Sequence, residues 1–544
     1  PFMMGSTPLT RLPCDCWVQI LEYLPKQDLN NLSRVSHDIR DSTELFLYRG
    51  IHWDWRNPPT PKILALLRTI SERPELAGYI WHVSFVWWDV GSERTKVARP
   101  KGGVAGWAKM MLQFRPTLRW SRKVVRNAKY PSKFITRWLT GLFDGDPYAY
   151  ATLLISQLHN LRSLRLDFSF VLEGGFPGEM LHHSLFGDAP PGALSRFSKL
   201  EMADYGSNLP LSEFRDGIKT CQFIPWFHLP SLHTLEIWLH NVEGLCVSPG
   251  QTPRRSLNLP NLRSLVIAKT RAPPEDIATL LFQLPCLESL HVGLAYKCRA
   301  TGEFLWEPEC LLHALQIRGQ LIKDLSLNVE ILPCCRETFL LSPTDEGGKP
   351  FRGFLNEFPK LKTVSLPLHL LIGWGRHPFK LRDVLPSTLE ALHISSDLWL
   401  EVDWMVFEYE ALKALEILMR HKERGSHPSL KTFSYHGVHM SDAERGLGSV
   451  DEFNYRYLIK REALNLFCCR QGYNLFPRYS DCANGFMAKS VTFVDNVAHW
   501  LPWPIVRVDE LPASMPRYFI SKLVRPLNAN TNSNPNDANP TDVN

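Results

Sequence analysis

A short apolar template, LxxLxxLxL, recurs through the middle of this chain and restricts its backbone more than any other feature. Copies read LHNLRSLRL, LSRFSKLEM, LPSLHTLEI, LPNLRSLVI, LPCLESLHV, FPKLKTVSL and HPSLKTFSY, with weaker ones at QLIKDLSL and LPSTLEALHI. Their third apolar positions are Leu164, Leu200, Leu235, Leu265, Leu290, Leu325, Val364, Leu392 and Phe433, spaced 25 to 41 residues apart. The last two apolar positions of each copy are two apart, the period of a strand with one buried face. The earlier ones are three apart, as a turn leading into that strand requires. Helical segments lie between copies. PPEDIATLLFQL opens with Pro273 and Pro274 and carries Ile277, Leu280, Leu281 and Leu284. Strand, return helix and strand again predict an α/β solenoid over residues 149–445, with a parallel sheet on the concave face and helices on the convex face. YIWHVSFVWW, residues 79–88, reads as an earlier strand of the same array.

In such an array the residues flanking the buried strand positions face the concave side, the usual binding surface. By this reading the substrate-contact candidates are Arg165, Glu201, Glu236, Trp238, His291, Asn328 and His393, with Val266, Ser326 and Ser434 beside them. Their polarity is mixed, so they name no ligand class. Trp238 stands out, because exposed tryptophan is enriched at binding hot spots.

At the N-terminus, LPCDCWVQILEYLPKQDLNNLSRVS (residues 12–36) places Trp17, Ile20, Leu21 and Leu24 at i, i+3, i+4 and i+7, one stripe of a helix. Pro25 closes it, and Leu29, Leu32, Val35 and Ile39 continue as a second and a third short helix. A module of roughly 40 residues seldom buries enough surface to fold alone. The missing surface comes from a partner or from the rest of the chain, and periodicity alone is satisfied as well by a helical hairpin packed on the following domain. The ordered set Leu12, Pro13, Ile20, Leu21, Leu24, Asp28, Leu29, Leu32, Val35 and Ser36 resembles the F-box motif, with Asp15 where a glutamate is frequent. LFLYRGIHW, residues 45–53, resembles the exit of the F-box in many fungal members. The resemblance implies three helices within residues 10–56 that dock on the Skp-type adaptor of a cullin-RING (SCF-type) ubiquitin ligase. Leu12, Pro13, Ile20, Leu21, Leu24, Leu29, Leu32 and Val35 would form that contact or its immediate support. The downstream copies resemble the irregular leucine-rich repeats often found behind an F-box. Together these imply a substrate receptor that holds a protein target and carries no catalytic residue of its own.

Between the earlier strand and the clear repeats, residues 91–148 form a basic, aromatic-containing insertion. Residues 91–140 hold thirteen lysines and arginines against one acid, Glu93, whereas the whole chain has a net charge of only +6. Trp107, Phe114, Trp120, Phe134 and Trp138 are interleaved with them. Three readings stay open. The charges form a solvated face while the aromatics pack on the array, or they dock an acidic protein, or they bind nucleic acid or anionic lipid. The last defines an alternative for the whole chain: an F-box scaffold or localisation protein anchored through this insertion.

The composition, 44% hydrophobic and 21% charged, is that of a globular chain. No apolar run reaches the length that crosses a bilayer and no signal pattern opens the sequence, so a cytoplasmic or nuclear location is expected. The twelve cysteines include no CxxC pair and are expected to be reduced, with no metal site and no cofactor. His436 and His439, with Cys468, Cys469 and Cys482 downstream, are the one weak zinc candidate. Phosphate-loop, dinucleotide, nucleophile-elbow and HExxH motifs are missing, which argues against an enzyme. Residues 1–9 are expected to be flexible and residues 57–90 to link the F-box to the array. The run 403–423 is expected to be one long helix, residues 446–527 a terminal cap, and the asparagine-rich residues 528–544 disordered.

Overall fold

The computed structural model describes residues 13–87, 110, 112–187, 194–208, 218–242, 245, 257, 259–297, 309–332, 354–367, 370–371, 381–395, 427–430, 432–437, 487–494 and 497–500. The expectations for residues 1–9, for the helix at 403–423, for most of 446–527, for the tail and for the metal candidate at His439, Cys468, Cys469 and Cys482 lie outside the described residues.

Three helices open the chain: α1 (Cys14–Tyr23), α2 (Lys26–Leu32) and α3 (His37–Tyr48). The third runs almost directly into strand β1 (Gly50–Asp54). Ten further strands follow in parallel: β2 (His82–Val86), β3 (Ser163–Leu166), β4 (Met202–Tyr205), β5 (Thr234–Ile237), β6 (Ser264–Thr270), β7 (Ser289–Lys297), β8 (Asp324–Leu332), β9 (Thr363–Pro367), β10 (Ala391–Ser395) and β11 (Thr432–Gly437). Two antiparallel strands, β12 (Met487–Val494) and β13 (Val497–Trp500), close the series. Spatial order follows chain order throughout this open sheet. The first strand therefore lies one crossover earlier than the 79–88 segment, inside the stretch read as the exit of the N-terminal motif.

Register explains why the template recurs. Ile51, Val83, Leu164, Ala203, Leu235, Leu265, Leu290, Leu325, Val364, Leu392 and Phe433 align across the sheet as one row. Two residues on, Trp53, Phe85, Leu166, Tyr205, Ile237, Ile267, Val292, Leu327, Leu366 and Ile394 belong to a second apolar row. Alternation of side chains along a strand puts both rows on one face. The helices that cover this face are amphipathic. α4 (Thr60–Glu72) buries Ile63, Leu64, Leu67 and Ile70, α9 (Pro274–Phe282) buries Ile277, Leu280 and Leu281, and α10 (Glu309–Arg318) buries Leu311 and Leu315. Between these elements fall α5 (Arg115–Asn127), α6 (Ser132–Asp144), α7 (Pro147–Ser156) and α8 (Phe176–Phe186). The sheet rows and the buried faces of α4 to α10 form one continuous core.

The described part of the basic insertion is thus ordered as two helices, α5 and α6. Gly145, at φ 82°, ends α6 in the left-handed region that glycine adopts without strain, and Asp146 caps α7 by accepting from the Tyr148 amide at 2.8 Å. Helix α7 is apolar all round and buried all round, because α6 packs on it as well as the core. The Trp138 indole donates to the Ala149 carbonyl at 3.0 Å, and the Tyr150 hydroxyl donates to the Leu142 carbonyl. Arg137 of α6 reaches Glu179 of α8 at 3.0 Å, and Lys219 reaches the same buried carboxylate at 2.9 Å.

Candidate adaptor and ligand-binding surfaces

The N-terminal helices divide their apolar residues between two directions. Leu21, Leu29 and Ile39 turn inward, at 1%, 4% and 5% exposure, and hold α1, α2 and α3 together. Ile20, Tyr23 and Val35 face solvent, at 40%, 89% and 65%, with Val18 and Pro13 beside them. Trp17, Leu24 and Leu32 are half-buried. Of the residues picked from the motif, Pro13, Ile20 and Val35 are therefore open for contact and Leu21 and Leu29 are internal support. Leu12 lies outside the described residues. Local chemistry sets the bends: Pro13 and Pro25 precede α1 and α2, and the Ser36 hydroxyl accepts from the Ile39 amide at 3.3 Å to start α3.

Three polar contacts fix this module on the sheet. Glu22 of α1 pairs with Arg49 at 2.8 Å, Lys26 of α2 donates to the Gly50 carbonyl, and Glu44 of α3 receives Arg73 through both carboxylate oxygens at 2.8 and 2.7 Å. The bidentate geometry raises the Arg73 guanidinium above its ordinary range, with the Glu44 hydrogen bond as the main cause and the Glu75 hydrogen bond second. Burial lowers the Lys26 ammonium.

On the sheet's polar face, His52, Ser84, Arg165, Asp204, Glu236, Val266, His291, Ser326, Ser365, His393 and Ser434 occupy one register row. Arg165, Glu236, His291 and His393 from the substrate-contact set thus share one register row of one face, on β3, β5, β7 and β10. Five of the seven substrate-contact candidates do not sit as expected. Glu201 is not on a strand: its carbonyl accepts the His233 and Thr234 amides in the turn before β4 and β5, and its side chain is exposed toward Arg162 at 3.8 Å. Its place in the row belongs to Asp204, because the strand copy is FSKLEMADY, with small Ala203 at the third apolar position. Trp238 is 3% exposed, held edge-on by Phe168 and Phe223 at centroid distances of 5.2 and 5.6 Å, and so is core. Glu236 is buried. His291, bonded to Ser326 at 2.8 Å, and Asn328 are buried too. Arg165 and His393 are half-buried, and burial pushes the His393 imidazole down to about 4.

Sequence reasoning also missed Asp167 and Asn208, which lie just past β3 and β4. The Asp167 carboxylate accepts from Asn208 Nδ2 at 2.6 Å, from the Trp87 amide at 3.1 Å and from the Ser169 amide at 2.9 Å. Asn208 returns its oxygen to the Phe168 amide at 2.9 Å. This network braces the turns that leave the strands. The only available signal was an Asx residue just after a strand copy.

The described aromatics of the basic insertion are largely internal: Phe114, Phe134 and Trp138 are 5%, 4% and 0% exposed, and Trp120 is partly buried. Trp107 lies outside the described residues. Exposed on α5 are Arg115, Arg119, Lys123 and Arg126. Among the described residues no group of three or more His, Cys, Asp or Glu side chains could hold a metal ion, and no helix is long and apolar enough to cross a membrane.

Residues 9–45 match the family model of the F-box domain. The chain thus carries an F-box domain at its N-terminal end, in front of a mixed array of helices and parallel strands. No curated protein matches the chain.

Proposed function

We propose that this protein is a substrate-recognition subunit of an SCF-type cullin-RING ubiquitin ligase. Its F-box docks on a Skp-type adaptor, and the strand-and-helix array behind it is a leucine-rich-repeat-like solenoid that binds a protein target. The observation that carries the reading is the F-box match at residues 9–45 together with the solvent-facing Pro13, Ile20, Tyr23 and Val35 on those helices. Apolar side chains left open on a small helical module are a contact surface. The array supports the second half: eleven parallel strands in chain order, with the same turn before each of β2 to β10, offer a long polar face on which Arg165 and His393 are half-buried. On this reading residues 10–56 form the adaptor module, the parallel strands the receptor, and β12 with β13 its terminal cap. The subunit's share in catalysis is proximity: it holds a target beside a conjugating enzyme loaded with ubiquitin.

The test is affinity purification of the full chain beside an Ile20→Ala/Val35→Ala variant. Adaptor and cullin are expected with the wild type and lost from the variant, while proteins held by the array stay with both. Equal adaptor recovery from both chains would sink the proposal.

A further inference from the structure

We propose that the exposed face of α5 is a docking surface for an acidic peptide segment of the protein target, which names a ligand chemistry for the receptor reading above and rests on it. Arg115, Arg119, Lys123 and Arg126 are all exposed and fall within a sector of about 80° at ~100° per residue, over a length of about 17 Å. Arg122, half-buried, lies on the same side. Among the described residues none of the four pairs with an acid, although elsewhere on this surface Arg49, Arg73, Arg162, Arg263, Lys323 and Lys362 all do. Other exposed cations, such as Lys62 and Lys360, also lack an acid partner among the described residues, but four of them standing in one row along a single helix is what marks α5.

Three classes of polyanion fit a row of cations, and the surroundings of α5 choose among them. A lipid surface takes up the apolar face of an amphipathic helix. Here that face, Phe114, Leu118 and Val125, is already buried against α4 and α6, so α5 has nothing to insert. Single-stranded nucleic acid is held by successive bases stacked on several aromatic side chains, whereas Phe114, Phe134 and Trp138 are internal, Trp120 is partly buried, and among the described aromatics of this insertion only Phe143 is exposed. A duplex would bring about ten phosphates over the same length, at one per ~1.7 Å, against five cations. An extended peptide covers about 17 Å in roughly five residues, so three phosphates on alternate residues, at about −1.5 to −2 each, match the five cations, and three carboxylates neutralise more than half of them without the excess a duplex brings. Phe143, 63% exposed and lying under Arg122 at 5.9 Å, offers an apolar contact beside the charges.

The experiment is fluorescence anisotropy with the full chain and two labelled decapeptides, one rich in glutamate and one carrying phosphoserines, at about 0.05 M and about 0.5 M salt. Arg115→Glu/Arg119→Glu/Lys123→Glu/Arg126→Glu is expected to weaken binding roughly tenfold or more, as is the higher salt. A Lys62→Glu/Lys360→Glu variant, altered at exposed lysines elsewhere, should bind as the wild type does. The peptide bound more tightly identifies carboxylate or phosphate as the preferred anion. Should charge reversal disturb folding, glutamine at the same four positions keeps the helix and makes the same test. Equal binding by wild type and variant overturns the proposal. So does preferential binding of a duplex oligonucleotide or of phosphatidylserine vesicles that is lost in the same variant. Adaptor capture is measured on the same samples: peptide binding without adaptor capture would remove the ligase reading and leave the α5 surface standing, and the reverse would do the opposite.

Discussion

Arg73→Ala should loosen the junction between the F-box and the sheet more than any other single surface change. Glu44 is 5% exposed and its two oxygens take the two terminal nitrogens of Arg73 at 2.8 and 2.7 Å. Removing one partner of a buried pair costs about 3–5 kcal/mol, because a charge is left without solvent or counter-ion. Two facts reduce this figure. The Arg73 side chain is 41% exposed, so water screens the pair, and Arg40 stays 3.5 Å from Glu44. About 2 kcal/mol remains, which is roughly a thirtyfold change in the opening equilibrium of α3. Native-state hydrogen exchange of the α3 amides reads that opening locally, without requiring the whole chain to unfold as one unit. A Glu44→Gln/Arg73→Met variant removes both charges and should recover more than half of the lost protection. The reasoning fails if Arg73→Ala changes α3 exchange less than about threefold, or if the double variant is no better protected than the single one.

Leu21→Ala and Leu29→Ala should each destabilise the F-box by about 2–5 kcal/mol and lose adaptor with the fold, whereas Ile20→Ala and Val35→Ala should lose adaptor at unchanged stability; urea titration beside adaptor capture separates the two groups. Trp238→Ala should cost about 3–5 kcal/mol as a core truncation, so loss of ligand binding by a variant of wild-type stability would contradict the buried position. His393 titrates near 4 in the fold and near 6.5 unfolded, so the unfolded chain binds the extra proton between those values. The fold is unaffected by this group above pH 6.5 and loses stability as pH falls toward 4; because burial penalises the charged imidazole, the denaturant midpoint of wild type should fall relative to that of His393→Gln with rising acidity.

The strand positions of the array were legible because burial forces large apolar residues into two rows, and a three-then-two spacing follows directly. The reading slipped where a small residue filled a row. At Ala203 the template found Leu200 and Met202 instead, three positions early, and so chose Glu201 over Asp204. It slipped again where the row was hidden inside another motif. LFLYRGIHW holds Leu45, Tyr48, Ile51 and Trp53 at the template spacing, but the same letters also continue the F-box pattern. Trp238 was misread for a different reason. Alternation tells which face of a strand a residue takes, but not that Phe168 and Phe223 from neighbouring turns close over it.

That hidden copy bears on how the two ends of the molecule communicate. Residues 9–45 are F-box, and Leu45 is also the first template position of β1, so α3 ends one unit and opens the next with no linker between them. The turn before each of β2 to β10 then repeats one backbone device: a single carbonyl accepts two successive amides at the start of the next strand, from Arg49 to Trp81 and His82, from Trp81 to Arg162 and Ser163, and onward as far as Lys362 to Glu390 and Ala391. The side chains of these same positions stand side by side. Arg49 and Arg162 both lie over the Trp81 ring, at 5.0 and 4.7 Å, Arg162 meets Glu201, Glu288 pairs with both Arg263 and Lys323, and Lys362 meets Glu390. Each exposed pair is worth less than about 1 kcal/mol, so their effect on stability is small. Their effect on geometry is larger, because every contact joins adjacent strands at the same height and the first member, Arg49, is tied to Glu22 of the F-box. On the proposed reading, an adaptor docked at Ile20 and Val35 would be held at a fixed angle to the sheet's polar face, because α3 passes almost directly into β1.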